Sequence, residues 1–124
     1  MSSSPISYET VIAQLTERVP EFRPEDPDLP HVAFGQLVSF LDERLRASAS
    51  ADASDPVLRK AVDFIEAAAQ SGDEQVVDLV VVSFIENLHI LGPNCRRVRG
   101  LLGARTQLLA AEYEARSHEK ICPA

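Results

Sequence analysis

The sequence contains no tryptophan, and aromatic residues make up only 6% of its 124 residues. A platform for stacking nucleic-acid bases is therefore not expected, because such platforms consist of exposed aromatic side chains. Basic residues are also in the minority, since 12 Lys and Arg stand against 19 Asp and Glu, a formal net charge of -7. This balance argues against binding to nucleic acid and against docking on an anionic membrane, since both require positive charge.

A leader sequence and long apolar runs are missing as well. Residues 1–5 contain no basic residue and no apolar stretch, so no signal peptide is predicted. The most apolar region, residues 76–91, is interrupted by charged residues, whereas a membrane span takes about 20 predominantly apolar residues. The sequence therefore predicts a cytoplasmic protein without a membrane partner.

Two cysteines, Cys95 and Cys122, are too few for a secreted disulfide framework and lack the partners of a structural zinc site. If one helix connects them, 122 − 95 = 27 steps of about 1.5 Å place their Cα atoms some 40 Å apart. A disulfide needs a separation below about 7 Å, so none is expected. Such a bond would require a break in the last helix, at residues 100–103.

The composition otherwise fits one globular domain over residues 1–124, with 45% hydrophobic and 25% charged residues. Residues 1–6 are expected to be flexible. The Ala/Ser-rich residues 47–54 have nothing large to bury and are expected to form an internal linker.

Apolar spacing and stop signals predict five helices, the first three in residues 7–72. The first helix is expected from Ser7, as its N-cap, to Arg18. An ordered loop with four prolines follows in residues 20–30, held to the body by Phe22 and Leu29. The second helix covers residues 31–47, and the third begins after Asp55. The residues expected inward are Val32, Leu37, Phe40, Leu41 and Leu45 on the second helix, and Val57, Leu58, Ala61, Val62, Phe64, Ile65 and Ala68 on the third.

The fourth helix is expected to be the central one. Asp73 caps it, and it covers residues 74–91, with apolar residues beyond its main face. The main face holds Val77, Val80, Val81, Phe84, Ile85, Leu88 and Leu91, and the other side holds Val76, Leu79, Val82 and Ile90. A strand over residues 76–82 is the alternative, because valine favours strands.

A turn at residues 92–94 precedes the fifth helix, residues 95–119, which Gly100 and Gly103 weaken. The predicted fold class is therefore all-α, a compact array of about five helices. HEAT-like hairpins are one form of it, because residues 38–42, 62–66 and 82–86 share the pattern Val, polar, Phe, aliphatic, acidic. The alternative is that each Phe is simply a core residue.

Catalytic motifs are not recognisable, so the sequence predicts no enzyme and no cofactor. Glu86 and His89 have the spacing of one half of a di-iron site, but a second such pair is absent. Cys95 stands close to three arginines, which would stabilise a thiolate, but it lacks a recognisable base. A surface histidine and a partly buried turn cysteine are the simpler interpretations.

Charge is distributed unevenly along the chain. Residues 63–86 contain six acids and no basic residue, and residues 95–105 contain four arginines and no acid. One interpretation is that the two regions attract each other within the fold. The other is an acidic surface that binds a basic protein partner. The residues predicted for that surface are Glu66, Glu74, Asp78 and Glu86.

Several motifs in residues 8–95 resemble a family of small, uncharacterised bacterial helical proteins, some of which look like immunity proteins encoded beside polymorphic toxins. These motifs are Leu29-Pro30-His31-Val32-Ala33-Phe34-Gly35, Phe64-Ile65-Glu66, Gly72-Asp73-Glu74, Phe84-Ile85-Glu86-Asn87-Leu88 and Leu91-Gly92-Pro93. They occupy core and turn positions, so the resemblance implies an all-helical fold and no catalytic residues. The linker and the arginine-rich last helix have no counterpart in it.

From these observations we expect a cytoplasmic binding protein, an immunity protein that blocks a toxin domain by occlusion. The alternatives are an interaction adaptor with another partner, and a small enzyme or metalloprotein that uses Cys95 or the pair Glu86 and His89.

Overall fold

The computed structural model describes residues 5–47 and 55–122 and is all-α. Its helices are α1 (Val11–Arg18), α2 (Pro30–Ala47), α3 (Pro56–Ala69), α4 (Glu74–Asp78), α5 (Cys95–Leu101) and α6 (Ala104–Ser117). Between α4 and α5 the chain continues as a π-helix over Leu79–Phe84 and then in 3-10 turns over Ile85–Asn94, which the non-helical Gly92 interrupts. We call residues 74–91 the central rod.

Two predicted flexible segments lie largely outside the described residues. These are residues 1–4 of the N-terminal stretch and residues 48–54 of the linker. Of the remaining N-terminal residues, Ile6 is buried in the core, and the carbonyl of Pro5 accepts a hydrogen bond from Gln14 (3.0 Å). Ile6 thus gives the chain an apolar anchor ahead of α1, and the flexibility of residues 1–6 stays a prediction.

The helix α1 begins later than predicted. The N–H of Ser7 donates to Thr10 Oγ1 and the N–H of Thr10 donates to the Ser7 carbonyl, both at 3.1 Å. These bonds close a separate turn, so Ser7 does not cap the helix, which starts at Val11. The helix ends at Val19 before Pro20, as the proline predicts.

The proline-rich loop is ordered, but only one of its two predicted anchors is buried. Phe22 lies in the core, and its ring centroid is 5.4 Å from that of Phe40. Leu29 is 52% exposed, and Val32 on the next helix is 43% exposed, so both were wrongly predicted to point inward. The carbonyl of Leu29 accepts the N–H of Ala33, which makes Leu29 the residue before the helix and directs its side chain to solvent.

Two N-caps are confirmed where the sequence placed them. Asp55 accepts the N–H of Val57 (3.0 Å) ahead of Pro56, and Arg44 binds the same carboxylate with two hydrogen bonds. The hydrogen bond from Arg44 lowers the pKa of Asp55. Asp73 caps the central rod through the N–H of Gln75 (2.9 Å). Every residue predicted inward on α3 is buried.

The central rod is helical throughout residues 74–91, so the strand alternative is wrong. The rod contacts α2, α3 and α6, which confirms the central helix expected from its apolar residues beyond one face. Val76 and Leu79, assigned to the secondary side, are fully buried, whereas Val82 and Ile90 are 42% and 40% exposed. The rod ends at Gly92, whose positive φ of 55° only glycine adopts readily.

The helix α2 runs parallel to the central rod. His31 on α2 contacts Ser83 on the rod. Four residues later on each helix, Gly35 lies beside Asn87, since a Cβ placed on Gly35 would be 3.6 Å from Asn87 Nδ2. Both helices therefore advance in the same direction. The chain reaches this parallel arrangement through α3, which lies between them in sequence.

The predicted fifth helix is broken in two. Leu102 and Gly103 are extended (ψ 147° and 168°), which separates α5 from α6. At the end of α6, His118 adopts a left-handed conformation, and residues 118–122, here called the return segment, come back to α5. Cys122 thereby reaches Cys95 and forms a disulfide, with the Cα atoms 5.4 Å apart. Our expectation of no disulfide was wrong because it assumed one continuous helix.

The three short motifs do not occupy equivalent positions. Val38 and Val62 are buried, whereas Val82 is exposed, and Phe40 is half-buried whereas Phe64 and Phe84 are fully buried. The shared pattern thus reflects core phenylalanines and gives no support to a HEAT-like repeat.

One helical stretch in the described part of the chain, Glu74–Leu101, is long and apolar enough to cross a membrane by length and composition. This corrects the sequence-based expectation, which considered only uninterrupted apolar runs. The core helix of a soluble protein meets the same criterion, and Leu79, Phe84 and Leu88 are fully buried within the fold. The stretch is therefore weak evidence for membrane insertion.

Phe84→Ala is expected to lower the free energy of unfolding by about 3–5 kcal/mol, because Phe84 is fully buried and its removal leaves a cavity. The matched control is Val82→Ala two residues away, where the side chain is exposed and about 0.5 kcal/mol or less is expected. Urea denaturation of both variants measures the difference. Equal midpoints for Phe84→Ala and the parent protein would contradict the placement of Phe84 in the core.

Gly103→Ala is expected to destabilise the protein by about 1–3 kcal/mol, because a Cβ at this position would collide with the carboxylate of Glu66. Gly100→Ala is the matched control. No atom lies within 4 Å of its Cβ position inside α5, so alanine should be neutral or stabilise by up to about 1 kcal/mol. In thermal melts, Gly103→Ala should therefore lower the melting temperature, whereas Gly100→Ala should leave it unchanged or raise it.

Candidate protein-binding surface

Of the four acids predicted to bind a partner, Glu66 is engaged inside the fold. Its carboxylate accepts the backbone N–H groups of Arg105 (3.0 Å) and Thr106 (2.9 Å), the hydroxyl of Thr106 (2.7 Å) and the amide of Gln70. Gly103, at the N-cap of α6, has no side chain to accept these N–H groups. Glu66 on α3 therefore caps α6 from outside the helix.

The ionisation of Glu66 reflects this capping role. Partial burial raises its pKa, but the hydrogen bonds from Thr106, Gln70 and Arg105 lower it by more, so the net pKa is below its ordinary value of 4.5. The carboxylate is thus stabilised in its charged form by groups of its own chain.

The other three acids line one edge of the central rod. Glu74, Asp78, Val82 and Glu86 follow one another along the rod at intervals of four residues. Glu74, Asp78 and Val82 are exposed and Glu86 is half-buried. We call these four residues the acidic ridge.

The π-helix contributes to the alignment of the acidic ridge. In a regular α-helix, four residues exceed a full turn by about 40°, so a series at this spacing drifts around the helix. A π-helix has wider turns, with hydrogen bonds from residue i to i+5, which reduces this drift. The π segment, Leu79–Phe84, includes Val82 and lies between Asp78 and Glu86. The ridge therefore stays closer to one line than in an α-helix of the same length.

A second exposed valine lies beside the ridge. His31 Nδ1 and Ser83 Oγ are 2.6 Å apart at the contact between α2 and the rod. Because the two helices run parallel, the residue after His31 and the residue before Ser83 lie on the same side of this contact. These residues are Val32 and Val82, which together form an exposed aliphatic centre with Asp78 and Glu86 on either side of Val82 along the rod.

Two grooves flank the N-terminal half of the ridge. One, about 520 Å³, lies between the rod and α6, and its lining includes Val77, Val81, Leu109, Arg105 and Arg116. The other, about 360 Å³, is lined by Tyr8, His31 and Gln75. Glu74 and Asp78 border both grooves, so they stand on a crest that a partner can approach from two sides.

The acidic and arginine-rich regions do not neutralise each other through ion pairs in the described residues. Glu74, Asp78 and Glu86 form no ion pair there, and Arg99 pairs with Glu114 of α6 (2.7 Å). Within residues 5–47 and 55–122, the hydrogen bond that links the two regions is the one from the backbone N–H of Arg105 to Glu66. Glu74 and Asp78 are therefore exposed carboxylates that no ion pair of the described residues neutralises.

In the described residues, neither the pair Glu86 and His89 nor Cys95 has the surroundings of a metal site or of a reactive thiol. His89 Nδ1 donates to the carbonyl of Glu86 (2.8 Å), and no cluster of three metal-ligating side chains occurs within residues 5–47 and 55–122. Cys95 is buried in the disulfide. Sequence reasoning missed the pair of His31 and Ser83, because 52 residues separate them and no local pattern links them.

A model of a domain of unknown function, DUF7674, matches residues 12–119. The chain belongs to the DUF7674 family. No curated protein and no solved structure matches it. The DUF7674 match covers every helix of the core except the first residue of α1, and it includes the entire acidic ridge.

Glu66→Gln is expected to lower the free energy of unfolding by about 1–2 kcal/mol at pH 7, because the amide replaces a charged cap with a weaker acceptor. Since the pKa of Glu66 is lower in the folded than in the unfolded protein, its contribution is present above about pH 4.5. It is lost as the pH falls through the folded-state pKa.

Denaturation of the parent and Glu66→Gln between pH 7 and pH 2.5 checks this expectation, and the difference between them should shrink in acid. The control is Glu43→Gln, an exposed acid on α2, which should change stability by less than about 0.5 kcal/mol. A difference for Glu66→Gln that stays constant over the whole range would contradict the capping role.

Proposed function

We propose that this DUF7674 protein binds a basic protein partner through the acidic ridge, and that the partner is a toxin domain which it neutralises by occlusion. The observation that carries the proposal is the composition of the ridge. Three carboxylates without ion pairs in the described residues lie in one row with the exposed Val82, and the exposed Val32 lies on the neighbouring helix. An apolar centre with a polar rim is the usual anatomy of a protein interface.

The size of the protein is sufficient for such an interface. A standard interface covers about 800 Å² of each partner. The accessible surface is 6881 Å², so about one ninth of it would be covered. The ridge, Val32 and the two adjoining grooves lie on neighbouring elements and together offer a continuous area for this purpose.

Occlusion requires affinity and no chemistry from the inhibitor. A toxin domain that acts on nucleic acid carries positive charge to bind phosphates. A row of carboxylates on a helix that is buried on its other sides would compete for that charge, and electrostatic attraction would accelerate the encounter. The acidic ridge therefore fits a basic toxin surface better than an apolar or acidic one.

The charge-reversed variant Glu74→Lys/Asp78→Lys tests the binding surface. Against the purified partner, it should associate at least tenfold more slowly at low salt and with a weaker salt dependence, because steering charge is removed. The matched control is Glu43→Lys/Asp63→Lys, which changes the net charge equally at exposed positions on α2 and α3. Surface plasmon resonance at several salt concentrations measures both rates.

The partner is first isolated from the native host with the parent protein as bait and the charge-reversed variant as the negative control. Co-expression then tests neutralisation: the parent should restore growth to cells that express the partner, and the charge-reversed variant should not. A partner that binds the ridge but does not impair growth would refute toxin neutralisation and support an adaptor. Equal rates for the parent and the charge-reversed variant would refute the binding surface itself.

A further inference from the structure

The disulfide attaches the return segment to the start of α5. Cys95 is fully buried, whereas Cys122 retains 8% exposure. Between them the chain passes through α5, the break at Leu102 and Gly103, and the whole of α6. The bond therefore closes the α5–α6 pair into a covalent loop whose two ends meet on one side of the molecule.

Glu114 supports the same closure without a covalent bond. Its carboxylate accepts hydrogen bonds from Arg99 on α5 (2.7 Å) and from the N–H of Ile121 in the return segment (2.9 Å). The hydrogen bond from Arg99 holds the pKa of Glu114 below its ordinary value. One carboxylate and one disulfide thus connect the last turn of α6, the return segment and α5.

The helix α6, whose last turn is held in this way, borders the 520 Å³ groove. Leu109, Glu112 and Arg116 of α6 form one wall of that groove, and Glu74 and Asp78 form the opposite wall. Arg116 lies in the last turn of α6, two residues before the left-handed His118 that begins the return segment. Of the groove wall, the Arg116 end is therefore the part that adjoins the return segment.

We propose that the pair Cys95 and Cys122 is a redox-responsive latch whose reduction releases the return segment and the last turn of α6 while the rest of the fold stays intact. The effect on partner binding rests on the function proposed above, but the release itself does not. A redox-responsive disulfide is compatible with the proposed cytoplasmic location. The cytoplasm keeps thiols reduced, so Cys95 and Cys122 would be thiols there and would form the disulfide only on oxidation.

The latch opens by thiol–disulfide exchange with a dithiol reductant. A thiolate of the reductant attacks Cys122 Sγ, the more exposed sulfur; the Cys95–Cys122 bond breaks, and Cys95 leaves as a thiolate that takes up a proton. The second thiol of the reductant then attacks the mixed disulfide and releases Cys122, which is also protonated. Two electrons and two protons pass to the protein, and the reductant becomes a disulfide.

The release is local because the remaining attachments of the core do not involve the return segment. Glu66 keeps the start of α6 on α3, and Thr106 and Ala110 are buried in the first half of α6. Only Ile121 and Cys122 anchor the return segment by burial. Without the disulfide, only the two buried side chains at the end of the segment and the hydrogen bonds of Glu114 would hold it to α5 and α6.

Hydrogen exchange and limited proteolysis of the oxidised and dithiothreitol-reduced protein test the latch without any partner. Reduction should increase exchange at least tenfold in residues 114–122 and accelerate tryptic cleavage after Arg116 and Lys120 by a similar factor. Cleavage after Arg59 and Lys60 in α3 is the internal control and should change less than twofold. Cys122→Ser should behave like the reduced protein and show no further response to dithiothreitol.

Two outcomes would overturn the proposal. Equal exchange in residues 114–122 in both redox states would show that Glu114 and Ile121 hold the segment alone. Faster exchange throughout α1, α2 and α3 would show that the disulfide is a global staple and not a latch. A further outcome separates the latch from the proposed function. If the return segment is released but the affinity for the partner is the same in both redox states, the groove wall at Arg116 does not contribute to binding. The charge-reversed variant Glu74→Lys/Asp78→Lys then tests the acidic ridge independently.

Discussion

The burial of the central rod on several sides is the constraint on which the rest of the structure depends. Its apolar residues extend well beyond one helical face, so a single neighbouring helix cannot remove them from water. α2, α3 and α6 surround it, and Leu79, Phe84 and Leu88 are buried completely. The residues of the rod that stay exposed include Glu74, Asp78 and Val82 of the acidic ridge. The same constraint that forms the core therefore determines which charges face solvent.

A second constraint acts at the contact between Glu66 and the start of α6. The carboxylate needs donors, and the first N–H groups of α6 need acceptors, so each satisfies the other across the interface of α3 and α6. Gly103 leaves the space that Glu66 occupies. This contact holds the start of α6 on α3 just after the extended residues Leu102 and Gly103, and the change of chain direction there allows Cys122 to return to Cys95. Glu66 thus belongs to the scaffold behind the proposed binding surface, and the ridge comprises the other three acids and Val82.

Local features of this protein were predictable because their causes lie within a few residues. Asp55 and Asp73 cap helices through N–H groups two residues away, and Gly92 ends the rod because its backbone adopts a positive φ. The inward face of α3 followed from helical spacing alone. Burial was mispredicted at Leu29 and Val32, where the number and direction of neighbouring helices decide exposure. The π-helix in the rod also changed which residues of that helix face outward.

The sequence by itself determined the all-α class, the helix boundaries set by Asp55, Asp73 and Gly92, and the acidic character of residues 63–86, because these follow from spacing, caps and composition. The tertiary structure alone decided which acids are engaged inside the fold, that His31 meets Ser83 across 52 residues, and that Cys95 pairs with Cys122. Each of these depends on contacts between residues far apart in the chain. Such contacts follow from how the rod is surrounded and from the break at Leu102 and Gly103 before the helix that Glu66 caps, and no local sequence pattern encodes them.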